Sequence, residues 1–462
     1  MKIIKLTIVC FILLALLAGC GSPDRPTAKN PVTLTIWHTY VEQMGDEFRA
    51  LVDEFNGSAG ASAGIVIDIA SVSNADELNE RLVDAANGVP GAPKLPDMAV
   101  LYPRVAVRLA NDGLLLNLGE YFTPEECASF VSPLLEEGML GGDTLYLLPV
   151  AKSTEVLYVN RTAFDRFASE VGADISQLYT FEDIVALSSK YYDWTDAQTP
   201  NIPNDGKSFY YSDNPFNLTS IWFEQLGESF IENERMNLQS GTFERLWNNY
   251  YPLMVRGGFA IFNKYGNYLA MTGDAVCISS TSAGAIFYPD SVTYADNTKE
   301  DVEFEVLPYP VLEGGEKVVM QRGGGICVLK SEPKREYAAS VFLKWLTGTD
   351  VNYRFGTSTG YMPVITDSLE QIRQGREILS DNENIRKMLA TSVGMQDSYR
   401  FYIPPVFNSY EDIVTAYNKR VYDLAKQDRE RYLRLIKAGE PSDSAWEIVS
   451  ENALARLLQG LT

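Results

Sequence analysis

A chain of 462 residues, 46% of them apolar, is long enough for two or three domains with substantial cores. Its 61 acidic against 39 basic residues give a formal charge of −22, which repels phosphate backbones and argues against a nucleic-acid partner. The same charge repels anionic headgroups, so membrane attachment has to come from something other than electrostatics. The chain opens on Lys2 and Lys5, followed by an apolar run from Leu6 to Ala18 broken only by Thr7. That run is the length of a signal-peptide core and falls short of the ~20 residues that span a bilayer.

The run ends in Leu17-Ala18-Gly19-Cys20, then Gly21-Ser22. Small residues before a cysteine resemble the lipobox of bacterial lipoproteins. The resemblance implies cleavage after residue 19 and lipidation of Cys20. Residues 20–31 are small, polar and Pro-rich, and read as a lipidated tether.

Strand and helix then alternate. Val32–Trp37 is a β-rich run; Met44, Phe48, Leu51, Val52 and Phe55 recur at helical spacing through 42–56; Ile65–Ile69 is a second strand. Asn74 is placed to cap a helix carrying Leu78, Leu82 and Val83, and Met98–Leu101 is a third strand before a helix that ends at Asn111-Asp112-Gly113. This order predicts a parallel sheet covered by helices. Thr144–Leu148 and Glu155–Val159 read as two more strands. Thr180 and Asp183 form a helix-start signature over 180–191, residues 193–215 read as a long irregular loop, and Phe243–Val255 reads as a helix. Strand signals return at Ala275–Ser279, Phe304–Leu307, Val318–Gln321 and Ile326–Leu329. A helical tail follows, with stripes at 338–346, 411–425 and 445–458.

Enzyme signatures are scarce. His38 is the only histidine, so neither a Ser-His-Asp relay nor a multi-histidine metal site has its parts. No P-loop, GxSxG or HExxH pattern occurs. No catalytic residue, metal or cofactor is expected, although paired carboxylates, all that a glycosidase needs, stay open. Cys127, Cys277 and Cys327 cannot all pair; they read as small buried hydrophobes, with one distant disulfide left open.

An ordered set of segments carries a family resemblance: LTIWHTY, NDGLLLNLGEYF, LPVAKSTEVLYVNRTAF, FNKYGNYLAMTGDAVCISSTSAG, the run from VLPYPV to VFLKWL, TGYMPV and YIPPVFNSYEDI. Together they resemble bacterial extracellular solute-binding protein family 1, the group that contains the maltodextrin-binding protein. The resemblance implies an α/β, two-lobed periplasmic-binding-protein type II fold. Each lobe would be a mostly parallel sheet flanked by helices, with a hinge between lobes and the ligand in the interlobe cleft. It places lobe 1 at 32–150 plus 302–330 and lobe 2 at 151–301 plus 331–462. It further implies an extracytoplasmic, lipid-anchored monomer without catalytic activity, delivering a solute to the permease subunits of an ABC importer.

Loops after the strands of such a fold face the ligand. They supply Trp37, His38 and Tyr40 after the first strand, Tyr102 and Arg104 after the third, and Lys152 and Ser153 at the crossing. By resemblance, Asp213, Asn214 and Phe216 occupy the second lobe's aromatic-and-acid position. Ser280 and Ser282 occupy a ligand-facing turn, Arg322, Gly323 and Gly324 a glycine turn, and Tyr410 the last aromatic contact. The tryptophan that the maltodextrin group carries near Ser279–Ser282 is missing. Trp37 reads equally as core, and Trp222 and Trp345 sit on core-facing stripes. Aromatic faces mixed with Asp, Asn, Ser and Arg suit a mono- or oligosaccharide. Arg104, Lys152 and Arg322 leave a uronate or polyol phosphate open. A lipid-anchored sensor or adhesin and a surface glycosidase are the competing readings.

Overall fold

The computed structural model describes residues 25–461 except Val41 and Gly141, so the lipobox cysteine and the apolar leader lie outside the described residues. The described residues form two compact units, one within Met1–Val150 and Gly324–Asn352, the other within Ala151–Gly323 and Tyr353–Thr462. Both returns of the chain differ from the sequence boundaries. Residues 302–323 belong to the second unit because Phe304–Leu307 pairs with Glu155–Asn160. Residues 331–352 belong to the first, where Phe342 and Trp345 meet the Phe55 ring at 5.0 and 5.3 Å.

The first unit is a four-stranded sheet. Val32–His38 lies parallel to Ile65–Ser71 on one side and to Met98–Leu101 on the other, and Gly325–Val328 joins antiparallel at the edge. Alternation in the first strand buries Val32, Leu34 and Ile36. Trp37 joins a cluster with Leu78, Leu82, Leu101 and Leu109. Asn74 caps its helix as expected, accepting from the Glu77 N–H at 2.9 Å. The helix Pro333–Leu346 is tied to the strand ends by Arg335, which donates two bonds to Asp97, at 2.6 and 2.7 Å, and one to the Thr33 carbonyl at 2.9 Å. Thr144–Leu148 is not a strand; only isolated bridges from Leu145 to Met139 and from Leu148 to Ile326 form there.

The second unit's sheet runs in the order Phe304–Leu307, Glu155–Asn160, Ala275–Thr281, Ser208–Ser212. It is mixed, unlike the mostly parallel sheet expected of each lobe: only the last pairing is parallel. The stretch read as an irregular loop contains the edge strand Ser208–Ser212 and runs into the helix Pro215–Gln225. That helix is buried from Phe216 to Gln225, so no amphipathic signal marks it. Thr180 caps the Phe181–Asp196 helix, accepting from the Asp183 N–H at 3.3 Å. The tail read as one helix over 445–458 is two, Ser442–Ser450 and Ala453–Gln459, broken at Asn452, whose φ is 56°. The three described cysteines are free thiols; Cys277 and Cys327 are buried and Cys127 is half-buried, which corrects its expected burial. No helix among the described residues is long and apolar enough to cross a membrane.

Candidate functional site

The sheet of the second unit gathers polar groups at one edge. Glu155 opens its strand, and the antiparallel register sets it opposite Thr281, at the end of the Ala275–Thr281 strand. The parallel register sets Ser212 opposite Ser279. One strand start and two strand ends therefore share an edge, and Glu155, Asp213 and Ser280 come together there.

Glu155 is buried. Its Oε1 accepts from Asn217 Nδ2 at 2.7 Å and from the Arg322 guanidinium at 3.2 Å. Its Oε2 accepts nothing among the described residues, and Arg322 makes no other side-chain bond. Asp213 Oδ1 accepts from the Gly266 N–H at 2.6 Å, and Oδ2 accepts from the Ser280 hydroxyl. Burial pushes the Asp213 carboxyl up from 3.8 to about 6, against the bonds from Ser280 and Gly266 and the charge of Arg322; Glu155 adds to the upward push.

The backbone holds this group in place. Ser153 and Arg322 exchange backbone bonds of 3.0 and 2.8 Å, and Thr154 Oγ1 donates to the Met320 carbonyl at 2.9 Å. Lys152 Nζ donates to the Gly323 carbonyl at 2.9 Å. Gly323 has φ +101, which a side chain resists, and a Cβ on Gly324 would lie 2.4 Å from the Leu101 carbonyl oxygen. The glycine turn is thus explained by its own backbone geometry.

Several residues expected at the ligand have structural roles. Phe216 is fully buried, with the Phe230, Tyr410 and Tyr417 rings 5.3, 5.7 and 5.7 Å away. Tyr410 also packs on Phe407. Both rings lie in the core instead of the expected loop surface. Asn214 caps the helix Pro215–Gln225 that carries Phe216, accepting from Asn217 N–H at 3.1 Å and Asn418 Nδ2 at 3.0 Å. Ser282 is buried and accepts from the Thr154 N–H at 3.1 Å. Sequence reasoning missed Glu155 and Asn217; the signal for the first was a lone carboxylate at the head of the apolar run VLYV.

In the first unit, the expected residues lie at the ends of two adjacent parallel strands. His38 Nδ1 accepts from the Tyr40 N–H at 3.2 Å, and the His38, Tyr40 and Phe48 rings lie 5.2–5.6 Å apart. Burial, helped by Arg49, lowers the His38 pKa to about 4, so the ring is neutral with its proton on Nε2. That Nε2 is buried and unpartnered among the described residues. Tyr102 is 40% exposed, with the Arg104 guanidinium 4.6 Å over its ring. Trp37 is 7% exposed and packs as core. Among the described residues no group of three acidic, histidine or cysteine side chains is placed to hold a metal.

Residues 50–384 match the profile of a family described as "Bacterial extracellular solute-binding protein". Solved structures share the fold. A cyclic alpha-maltosyl-1,6-maltose binding protein from Arthrobacter globiformis superposes with a TM-score of 0.66 at 18% identity, over 93% of this chain and 100% of that one. UgpB from Mycobacterium tuberculosis, in complex with glycerophosphocholine, gives 0.65 at 17% identity over 93% and 100%. Maltose-bound MalE3 from T. maritima gives 0.62 at 14% over 92% and 99%. Comparison with curated proteins found no match. At these identities the likeness establishes the periplasmic-binding-protein type II fold.

Proposed function

Because the chain belongs to the bacterial extracellular solute-binding proteins, we propose that it captures a neutral carbohydrate for an ABC importer. The solute would bind through the polar edge of the second unit. The observation that carries this reading is the Glu155–Arg322 pair. One carboxylate oxygen and the remaining guanidinium N–H groups stand side by side without partners among the described residues. Hydroxyl groups both donate and accept, so adjacent hydroxyls of a sugar satisfy such a pair, whereas a phosphate or carboxylate accepts only. Asp213 beside it adds a second acceptor and a second negative charge, which disfavours an anion. The glycerophosphocholine bound by UgpB favours the second reading, a phosphodiester held by Arg322 and Lys152.

A thermal-shift screen separates the two. The panel is maltose, maltotriose, mannotriose, other neutral sugars, glucuronate and glycerophosphocholine. Binding at 100 times Kd stabilises the folded state by about 2.7 kcal/mol. A rise with a neutral sugar is expected; a rise only with glucuronate or glycerophosphocholine replaces the carbohydrate reading, and no rise at all sinks it.

Asp213 gives the site a pH dependence. Folding raises its pKa above the usual carboxylate value, so its contribution to stability is fully present below about pH 4 and is lost as pH rises past 6. Binding runs the other way, because the ionised carboxylate is the better acceptor. Affinity for the panel's best neutral sugar should be flat from pH 7 to 8. Below pH 6 it should fall by up to about tenfold per unit. An Asp213→Asn variant should bind weakly with a flat profile; if it keeps the wild-type slope, another group titrates.

We also propose a lipid-anchored monomer, held to the cell membrane through Cys20. The LAGC motif after the apolar run supports it. Cys20→Ser should leave the precursor unprocessed or release the protein into the soluble fraction. A processed mutant that still sediments with membranes would refute the anchor.

A further inference from the structure

We propose that Tyr265 is the aromatic platform of the second unit's binding edge, the place the sequence reading gave to Phe216. The inference rests on the carbohydrate reading above and adds the residue that would cover the sugar's apolar face.

Tyr265 is 70% exposed, more than any other large apolar or aromatic side chain described. Its ring meets no other ring or cation among the described residues. A single exposed tyrosine needs no explanation by itself. Its mounting does. The buried Tyr211 hydroxyl bonds the Phe262 and Lys264 carbonyls at 3.1 and 2.7 Å. Asp213 accepts from the Gly266 N–H at 2.6 Å. A Cβ on Gly266 would come within 2.4 Å of Ile278 and 2.9 Å of Asp213, so only glycine seats the loop this deep. Three hydrogen bonds from the end of one strand thus fix the backbone on both sides of residue 265, while its ring stays in water.

The same carboxylate places the ring. Peptide geometry puts the Tyr265 Cα within ~5 Å of Asp213 Oδ1. A hydroxyl donating to Asp213 brings its sugar ring within reach of the tyrosine, whose face suits the apolar C–H face of a pyranose. The backbone is pre-ordered, so little loop entropy is lost on binding. Ring and carboxylate are also coupled: one group holds the loop and accepts from the sugar.

The test is titration calorimetry with maltotriose and mannotriose on wild type, Tyr265→Ala, Tyr265→Phe, Asp213→Asn and Tyr179→Ala, with the melting temperature of each free protein. Tyr179 is an exposed tyrosine of the same unit outside this edge. Tyr265→Ala should weaken binding at least tenfold at an unchanged melting temperature, Tyr265→Phe should stay within threefold of wild type, and Tyr179→Ala should match wild type. If Tyr265→Ala binds normally while Asp213→Asn loses binding, the platform is refuted and the binding edge stands. If Asp213→Asn also binds normally, or the wild type binds no sugar of the panel, both readings fall. A loss that tracks a lowered melting temperature makes Tyr265 structural and overturns the proposal.

Discussion

Glu155→Gln should weaken sugar binding about thirtyfold, roughly 2 kcal/mol, while costing the free protein little stability. The substitution keeps size and shape. Its amide oxygen can still accept from Asn217, now at 2.7 Å from Oε1. What disappears is the charge that Arg322 neutralises and the strong acceptor left open at Oε2. Arg322 is about one-third exposed, so water solvates much of its stranded charge and the folding cost stays near 1 kcal/mol. Binding has no such relief, because a closing ligand removes the water from both partners. Calorimetry of the variant with the panel's best neutral sugar, beside its melting curve, checks both halves. Wild-type affinity would remove Glu155 from the site; a loss of affinity matched by a large fall in melting temperature would make it a structural residue. Glucuronate offers a reciprocal check, since removing a negative charge should improve its binding relative to the neutral sugar.

Local pattern carried the first unit well. Period-two burial in the first strand, the Asn74 cap and the βαβαβ order are all properties of short windows, and the structure has them. The second unit depends on distant pairing. Phe304–Leu307 was legible as a strand to the residue, yet its unit was misassigned because its partner lies near residue 157. Ser208–Ser212 hid in a stretch rich in Pro, Asn and Asp because the central strand Ala275–Thr281, not local propensity, makes it β. Thr144–Leu148 shows the reverse: its composition suits a strand, but only single bridges, to Met139 and Ile326, form along it.

The polar part of the candidate site was partly legible, through the family resemblance. Asp213, Ser280 and Arg322 were placed by it, and the structure brings all three together with Glu155. The aromatic part was not. Phe216 and Tyr265 both sit in short polar-flanked segments, and nothing within a few residues says which ring turns inward. Burial decides it: Phe216 lies in the first turn of a helix buried on every side, whereas Tyr265 tips a loop pinned from beneath.

Asp428→Ala should destabilise the second unit by about 3 kcal/mol, without altering sugar affinity below the transition. Asp428 is buried on the long helix Tyr410–Lys437. It accepts two parallel bonds from Arg456, at 2.9 and 2.8 Å, and a third from the buried Tyr251 hydroxyl. Arg456 in turn donates to the Val449 carbonyl at 2.7 Å. One carboxylate therefore fastens the helices Gly241–Arg256 and Ala453–Gln459 to the long helix between them. Removing it strands a guanidinium and a phenol, which costs about 3–5 kcal/mol when the partners are fully buried. Arg456 is one-third exposed, so the lower end applies. For a unit of this size that is a fall in melting temperature on the order of 6 °C. The loss should begin at the C-terminal end, so limited proteolysis should trim residues 442–461 from the variant before the rest of the unit is cut. The double variant Asp428→Leu, Arg456→Met should recover part of the stability, since it removes both charges instead of orphaning one. A melting temperature within 2 °C of wild type for Asp428→Ala would show that apolar packing of Leu457 and Ala453 alone holds the terminal helices.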